Sequence, residues 1–355
     1  MRSPSRFPIP WLPVVIVAYA CLNGSIARSE WRTTQINEMS HVALEEVAGA
    51  FSMKPGKRRK ESGEIGFAGE SHQLVVKTGT REVIVDGVRH WLSFPVVAKG
   101  GQAFVSLADI NTTLGPAMSP LSVKSIGKVN TVVFDPGHGG HDLGGKSAYG
   151  YEKDYTLDVV NRARRILESK KVKVVQSRLS DSFVTLSERP EMTDNYPNPI
   201  FVSVHFNSAE WKTSASGIEV YALPPLDFPI TGKAPDPVLD RRKCEGNATE
   251  PASFVLANTM QHTLLGKTGG FDRGVKRARY AVLRYSDDPS ILIECAFLTN
   301  AQEAKNIHSP TWREMFAQSI ADGILVYMGL ANEKRPPARV WDYGRKSTDE
   351  FIWEE

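Results

Sequence analysis

The chain has 355 residues, 41% of them hydrophobic and 23% charged, with a formal net charge of +3. That length suits two folded units plus terminal segments. So small a charge, with no basic stripe interleaved with aromatics, excludes nucleic acid as a partner. Three cysteines supply no disulfide framework.

The first residues read as an export leader. Arg2 and Arg6 precede an apolar run from Trp11 to Leu22, and Ser25 and Ala27 form a small-residue cleavage site. The run is short of the ~20 residues needed to span a bilayer. Cleavage after Ala27 is therefore expected, with lipidation at Cys21 disfavoured by Ala18 three places before it. The mature chain belongs in the periplasm or cell envelope, where nucleotides are scarce. Residues 28–40 are polar and patternless, a linker. From residue 41 to 127 the pattern predicts a small α+β module. Val42–Met53 has helical spacing, Gln73–Lys77 and Arg81–Val85 alternate as strands, and Asp86-Gly87 marks a hairpin. "FVSLADINTTLG" repeats "HVALEEVAGAFS", pairing Leu107 with Leu44 and Asp109 with Glu46. "KPGKRRKE" (54–61) is a basic loop, either solvated or touching an anionic polymer. This module resembles the N-terminal-like domain named after copper amine oxidases, a non-catalytic unit of exported bacterial proteins, and has no copper-ligand set. The resemblance implies contact with the cell wall or an activator protein through residues 41–127.

Residues 128–329 change to alternating β and α. Apolar strands are expected at Thr131–Asp135, Val172–Gln176, Ile200–His205, Ile218–Ala222 and Ser290–Glu294. Such continuous hydrophobicity suits strands buried on both faces of a mostly parallel sheet. Helices are expected at Asp154–Ser169, with Asp154 as cap, and at Pro251–Leu265 and Trp312–Met328. The fold class is α/β, a mostly parallel twisted sheet with helices on both faces, preceded by the small α+β domain. Residues 330–355 read as a flexible tail. Residues 224–250, rich in proline, form a long loop that is either a passive excursion or a flap over the site.

The stretch "VVFDPGHGGHDLGGKS" (132–147) poses a choice. Its end formally matches a phosphate-binding loop, yet that motif needs Lys146-Ser147 to open a helix, and "AYGYEKD" follows instead. A nucleotide site is excluded. The other reading is a metal site. His138 follows one strand, while His205 and Glu294 end two more, and sites in open α/β sheets form beyond carboxyl ends of strands. Glu152 lies in the connection after the first strand, where it can fold back over that edge. His141 has no strand to aim it and is expected in solvent. His262 on a helix and His308 on a loop are assigned no function.

"YEKDYTLDVV", "FVTLSERPEMTDN", "FVSVHFNSA", "GIEVYAL", "DRGVKRARYAVLR" and "ILIECAFLTNAQE" follow that stretch in order. Together these motifs resemble the zinc-dependent N-acetylmuramoyl-L-alanine amidases of the third type, typified by cell-separation enzymes. The resemblance covers residues 131–328. It implies one Zn²⁺ held by His138, Glu152 and His205, Glu294 as catalytic carboxylate, and peptidoglycan as substrate, cut between N-acetylmuramic acid and L-alanine. Asn207 and Asp135, beside ligands in sequence, would orient them, and Arg273 would contact substrate or support the site. The chain departs from the family in having Cys295-Ala296 where a glycine usually precedes the Phe, Asp194-Asn195 for Ala-Asn, and Pro190 after Arg189. None of these removes a ligand. Two rival functions remain at this point, a wall-binding protein without catalysis and a zinc peptidase acting within the stem peptide. Cys295, alternating with Glu294, should be a buried thiol, with a disulfide to Cys244 as an alternative.

Overall fold

The computed structural model describes residues 31–59, 63–124 and 127–334. The leader, Cys21 and the tail beyond Lys334 lie outside the described residues. The N-terminal module runs β1 (Thr33–Ile36), β2 (Met39–Ala43), α1 (Leu44–Ala50), β3 (Lys54–Arg59), β4 (Glu64–Ala68), β5 (Gln73–Lys77), β6 (Glu82–Val85), β7 (Val88–Trp91), β8 (Val97–Lys99), β9 (Gln102–Ser106), α2 (Leu107–Asp109) and α3 (Gly115–Met118).

The linker expected at 28–40 contains β1 and the start of β2. They join through Asn37 and Glu38, both at positive φ (50° and 63°), a tight hairpin turn made without the glycine that usually signals one. Lys54–Arg59, expected as part of a basic loop, is β3, paired among the described residues with β4 at the edge of the sheet. The internal repeat is real in three dimensions. Leu44 and Leu107 each open a helix, and the strands before them pair antiparallel, Val42 opposite Val105. The hairpin at Asp86-Gly87 joins β6 to β7.

The second half continues with β10 (Thr131–Pro136), β11 (Lys146–Ser147), β12 (Gly150–Tyr151), α4 (Glu152–Ser169), β13 (Lys173–Gln176), α5 (Glu188–Glu191), β14 (Pro199–Asn207) and β15 (Ile218–Ala222). Then come α6 (Glu250–Thr268), β16 (Asp272–Arg277), α7 (Ala281–Arg284), β17 (Ser290–Phe297), α8 (Ala301–His308) and α9 (Pro310–Glu333). Strand β16 was unexpected because "DRGVKR" carries three cations and a glycine, a poor strand signal. Helix α4 starts at Glu152, not Asp154. His308 ends α8 and is not a loop residue, and α9 takes in the first residues of the predicted tail. Among the described residues no helix is long and apolar enough to cross a membrane.

Strands β13, β10, β14 and β17 are mutually parallel, β15 runs antiparallel to β17, and β16 runs parallel to β15. Side chains alternate across the sheet. Val132, Phe134, Val202, Val204, Ile293 and Cys295 face the three long helices α4, α6 and α9. Val133, Phe201 and Leu292 face the other way, under the short α7 and Leu223. Helices thus occupy both faces unequally, and the thinly covered face has room for a pocket. Helix α6 is buried nearly all round, between the sheet, α9 and α3 of the first module.

The two modules share one sheet. Its order is β13-β10-β14-β17-β15-β16-β7-β6-β5-β4-β3, joined where Val275 of β16 bridges His90 of β7. The backbone N–H of Arg89 donates to Asp272 at 2.6 Å, and the Trp91 indole N–H to the Arg273 carbonyl at 2.9 Å. Gly274 has φ +92°, and a Cβ there would sit 2.8 Å from the Arg89 carbonyl, so glycine permits the close approach. His90, fully buried, pairs through Nε2 with the Asn258 amide of α6 at 2.8 Å. The first module is therefore built into the same sheet as the second.

Burial pushes the His90 imidazole down to about 4, so it stays neutral in the folded protein at pH values where an unfolded histidine ionises. The unfolded state then binds more protons, and stability falls as pH drops from about 6.5 towards 4. Urea unfolding at pH 7 and pH 5 is expected to show that loss, and His90→Leu to reduce it. An equal loss in the variant would remove His90 from the account.

Candidate metal centre and active site

The glycine-rich turn after β10 exists to let side chains meet. His138 itself has φ +60°, and its neighbours Gly139 and Gly140 are also in positive φ. A Cβ on Gly137 would lie 2.3–2.6 Å from the His205 ring, and one on Gly144 would lie 2.5 Å from the His138 ring and 2.7 Å from the Glu152 carboxylate. The loop makes room for imidazoles and a carboxylate. Lys146-Ser147 forms the short β11, paired with β12, and opens no helix, as the rejection of a phosphate loop requires.

Glu152 is the first residue of α4, buried, where the helix N-terminus favours a negative charge. Its Oε2 accepts from the Gly145 N–H at 2.7 Å, and its Oε1 from the Phe206 N–H at 2.9 Å. Both imidazoles converge on it: His138 Nε2 lies 3.1 Å from Oε2 and His205 Nδ1 lies 3.0 Å from Oε1. Burial alone would raise the Glu152 carboxyl, but the two imidazoles hold it well below the usual carboxylate range. One donor atom from each of His138, Glu152 and His205 lies within 4.8 Å of the others. Two imidazole nitrogens and a carboxylate oxygen are the donor set of an open catalytic metal site. The residues fit a zinc-type ion.

Glu294 is the strand partner of His205 across β14 and β17. Its Oε2 is buried with no hydrogen-bond partner. Burial, reinforced by the charges of Glu152 and Glu219, pushes its carboxyl well up, against the pull of Lys276. The four residues line a pocket of about 320 Å³ together with Asp142, Leu186 and Tyr280.

The supporting residues act differently from expectation. Asp135 touches neither imidazole. It is fully buried and accepts from Arg189 at 2.7 Å, Ser177 at 2.6 Å and Ser203 at 2.8 Å. Arg189 in turn donates to the His138 carbonyl at 3.0 Å, so Asp135 steadies the ligand loop through a guanidinium. Asn207 and Arg273 both bind Glu219, at 2.6 and 2.8 Å, and Tyr221 and Lys276 donate to the same carboxylate. Sequence reasoning missed Glu219, although a carboxylate inside the apolar "GIEVYAL" was a visible signal. It also missed Asp142, whose Oδ2 lies 2.9 Å from His138 Nδ1 and leaves Nε2 to face the centre. His141 is exposed, packed on Phe183 at 4.2 Å between centroids.

Two further expectations are settled by topology. Because β15 runs against β17, with Glu219 opposite Glu294, its carboxyl end lies away from the metal edge, and no residue of 224–250 lines the metal pocket. The segment is no flap over the pocket here. Cys295 is a fully buried free thiol on the helix-covered face, and Cys244 is also free, so no disulfide joins them.

A family model described as N-acetylmuramoyl-L-alanine amidase matches residues 132–326. The N-acetylmuramoyl-L-alanine amidase LytC of Bacillus subtilis (strain 168) is 29% identical over 252 residues, 71% of this chain and 43% of LytC. The chain thus spans less than half of that relative. The protein YqiI of the same strain is 32% identical over 226 residues, 63% of this chain and 95% of YqiI. Among solved structures, an N-acetylmuramoyl-L-alanine amidase from Clostridium difficile 630 shows 31% identity over 57% of this chain and 97% of its own, with a TM-score of 0.47.

Removing the carboxylate behind a ligating histidine typically costs about 10–100-fold in metal affinity. Asp142→Ala is expected to fall in that range in competition with a chelating dye. Unchanged affinity would show that Asp142 does not orient His138.

Proposed function

The chain belongs to the N-acetylmuramoyl-L-alanine amidase family, and on that premise we propose that it is an exported zinc amidase that cuts peptidoglycan between N-acetylmuramic acid and the L-alanine of the stem peptide. The observation that carries this reading is the convergence of His138 Nε2 and His205 Nδ1 on the Glu152 carboxylate, with Glu294 on the adjoining strand.

His138, Glu152 and His205 would hold the Zn²⁺. When bound, zinc lowers the pKa of a coordinated water to roughly 7 and polarises an amide carbonyl. Glu294 supplies the proton traffic. Its unpartnered Oε2 can take a proton from the attacking water and give it to the leaving amine of L-alanine. Asp142 and the Asp135–Arg189 pair keep His138 aimed at the centre. Glu219, its charge balanced by Arg273 and Lys276, holds Asn207 at the pocket wall. Leu186 and Tyr280 add apolar and aromatic surface to the pocket's lining.

A substrate of this kind would put the working enzyme in the cell envelope, as the leader expected at 1–27 also implies. The module at 41–127, with its likeness to the copper amine oxidase N-terminal-like domain, is assigned contact with the wall or an activator protein in addition to its part in the sheet. Mass spectrometry of digested peptidoglycan is expected to find free stem peptides beginning with L-alanine. Cleaved cross-links, or intact muropeptides, would overturn the reading.

Glu294→Gln is expected to slow hydrolysis by ~10²–10⁴-fold, the usual cost of losing a general acid–base, while zinc stays bound. His138→Ala and His205→Ala should lose both metal and activity. Metal analysis and turnover on soluble muropeptides check all three. Near-normal turnover by zinc-loaded Glu294→Gln would remove Glu294 from the mechanism.

A further inference from the structure

A second, larger cavity of about 1110 Å³ lies on the other side of α7. Tyr280, Ala281 and Val282 line the metal pocket, while Arg279, Arg284 and Tyr285 line this one. A single helical turn therefore separates the two. A helix is about 10–12 Å across with its side chains, a distance three to four extended peptide residues cover. The opposite wall is made by residues 230–248, the segment that the catalytic reading leaves without a role.

Four acids line the cavity, Asp236, Asp240, Glu245 and Asp287, the last two exposed, and two of the four are tied into its wall. Asp240 is tied to Arg279 at 3.1 Å and accepts the Asp236 N–H, and Asp236 accepts the N–H groups of Val238 and Leu239. These two acids shape the wall. Arg284 is different. Its guanidinium meets no carboxylate within ion-pair distance among the described residues, its Nε is buried without a partner, and it lies over the Tyr285 ring at 5.1 Å. Lys243 and Arg242 are exposed at the same cavity, with Ile230 and Leu239 giving it an apolar side. An unpaired, half-buried guanidinium beside aliphatic and aromatic surface suits an anionic group on an otherwise amphipathic chain.

We propose that this cavity is a subsite for the carboxylate-bearing distal part of the stem peptide, with Arg284 as its anion-binding residue. The proposal rests on the amidase reading. A stem cut at its L-alanine in the metal pocket would run over α7, between Tyr280 and Tyr285, and place its following carboxylates against Arg284 and Lys243. Residues 230–248 then serve to grip the peptide and not to gate the metal.

The test is calorimetric titration of the zinc-loaded full chain with L-alanyl-γ-D-glutamyl-meso-diaminopimelate and with its carboxamide counterpart. The free acid is expected to bind the wild type more tightly than the amide. Arg284→Ala should weaken the free acid about tenfold, the scale of one charge-assisted hydrogen bond, and leave the amide unchanged. Arg284→Lys should recover part of the loss, and Lys243→Glu, an exposed change, should act in the same direction. Equal affinity for both peptides, no binding by the wild type, or no effect of either Arg284→Ala or Lys243→Glu would overturn the subsite. The tripeptide lacks the scissile bond, so binding is read apart from hydrolysis. A wild type that shows the expected titrations but releases no stem peptide from peptidoglycan would overturn the amidase reading instead.

Discussion

Everything at the catalytic face is arranged around one buried carboxylate. Glu152 sits at the start of α4 with almost no solvent, a position that penalises a charge heavily unless it is compensated. Compensation comes from two backbone N–H groups, the helix terminus and two imidazoles, each from a different chain segment. Satisfying one oxygen requires the turn at Gly145, and satisfying the other requires β14 to deliver the Phe206 N–H. The approach of the rings forbids a side chain at Gly137 and Gly144. A pattern that looks like a phosphate cradle in sequence is thus a set of vacancies for ligand side chains.

Glu294 is the counterpart with the opposite balance. It lies one strand from His205 but receives no hydrogen bond at Oε2, and the cation that acts on it, Lys276, is paired with Glu219. The same pocket therefore holds a carboxylate kept firmly charged and another held towards its proton. Under the proposed mechanism the first would ligate and the second would exchange protons. Arg273 and Lys276, which set the charge around Glu219, come from β16, the strand against which the first module is joined.

The candidate site residues His138, His205 and Glu294 were legible because they end or follow long apolar strands, where a lone His or Glu stands out. His138, His205 and Glu294 could be placed at one edge from that pattern and Glu152 from the connection after the first strand, and the ordered motifs then implied the role of each. What stayed hidden depended on strand direction and on partners distant in sequence. Nothing local in Ile218–Ala222 says that β15 runs against β17, so the segment after it was expected near the metal. "DRGVKR" pairs as β16 only because β15 and β7 flank it, and its cations are spent on Glu219. Asp135 was found but given the wrong contact, since its partner Arg189 lies 54 residues away and no periodicity links them.

The join between β7 and β16 also has a consequence for how the chain comes to be folded. Ribosomes release β7 early and β16 late, and the contacts between them span 183 residues at Arg89–Asp272 and 168 at His90–Asn258. Until the second half emerges, β7 is an open strand edge and His90 has no amide to meet, the kind of exposed template that invites wrong pairing. The N-terminal module lacks these partners while it is nascent. It must wait for nearly three hundred residues to be made, so any factor that keeps the growing chain unfolded protects the half that is made first.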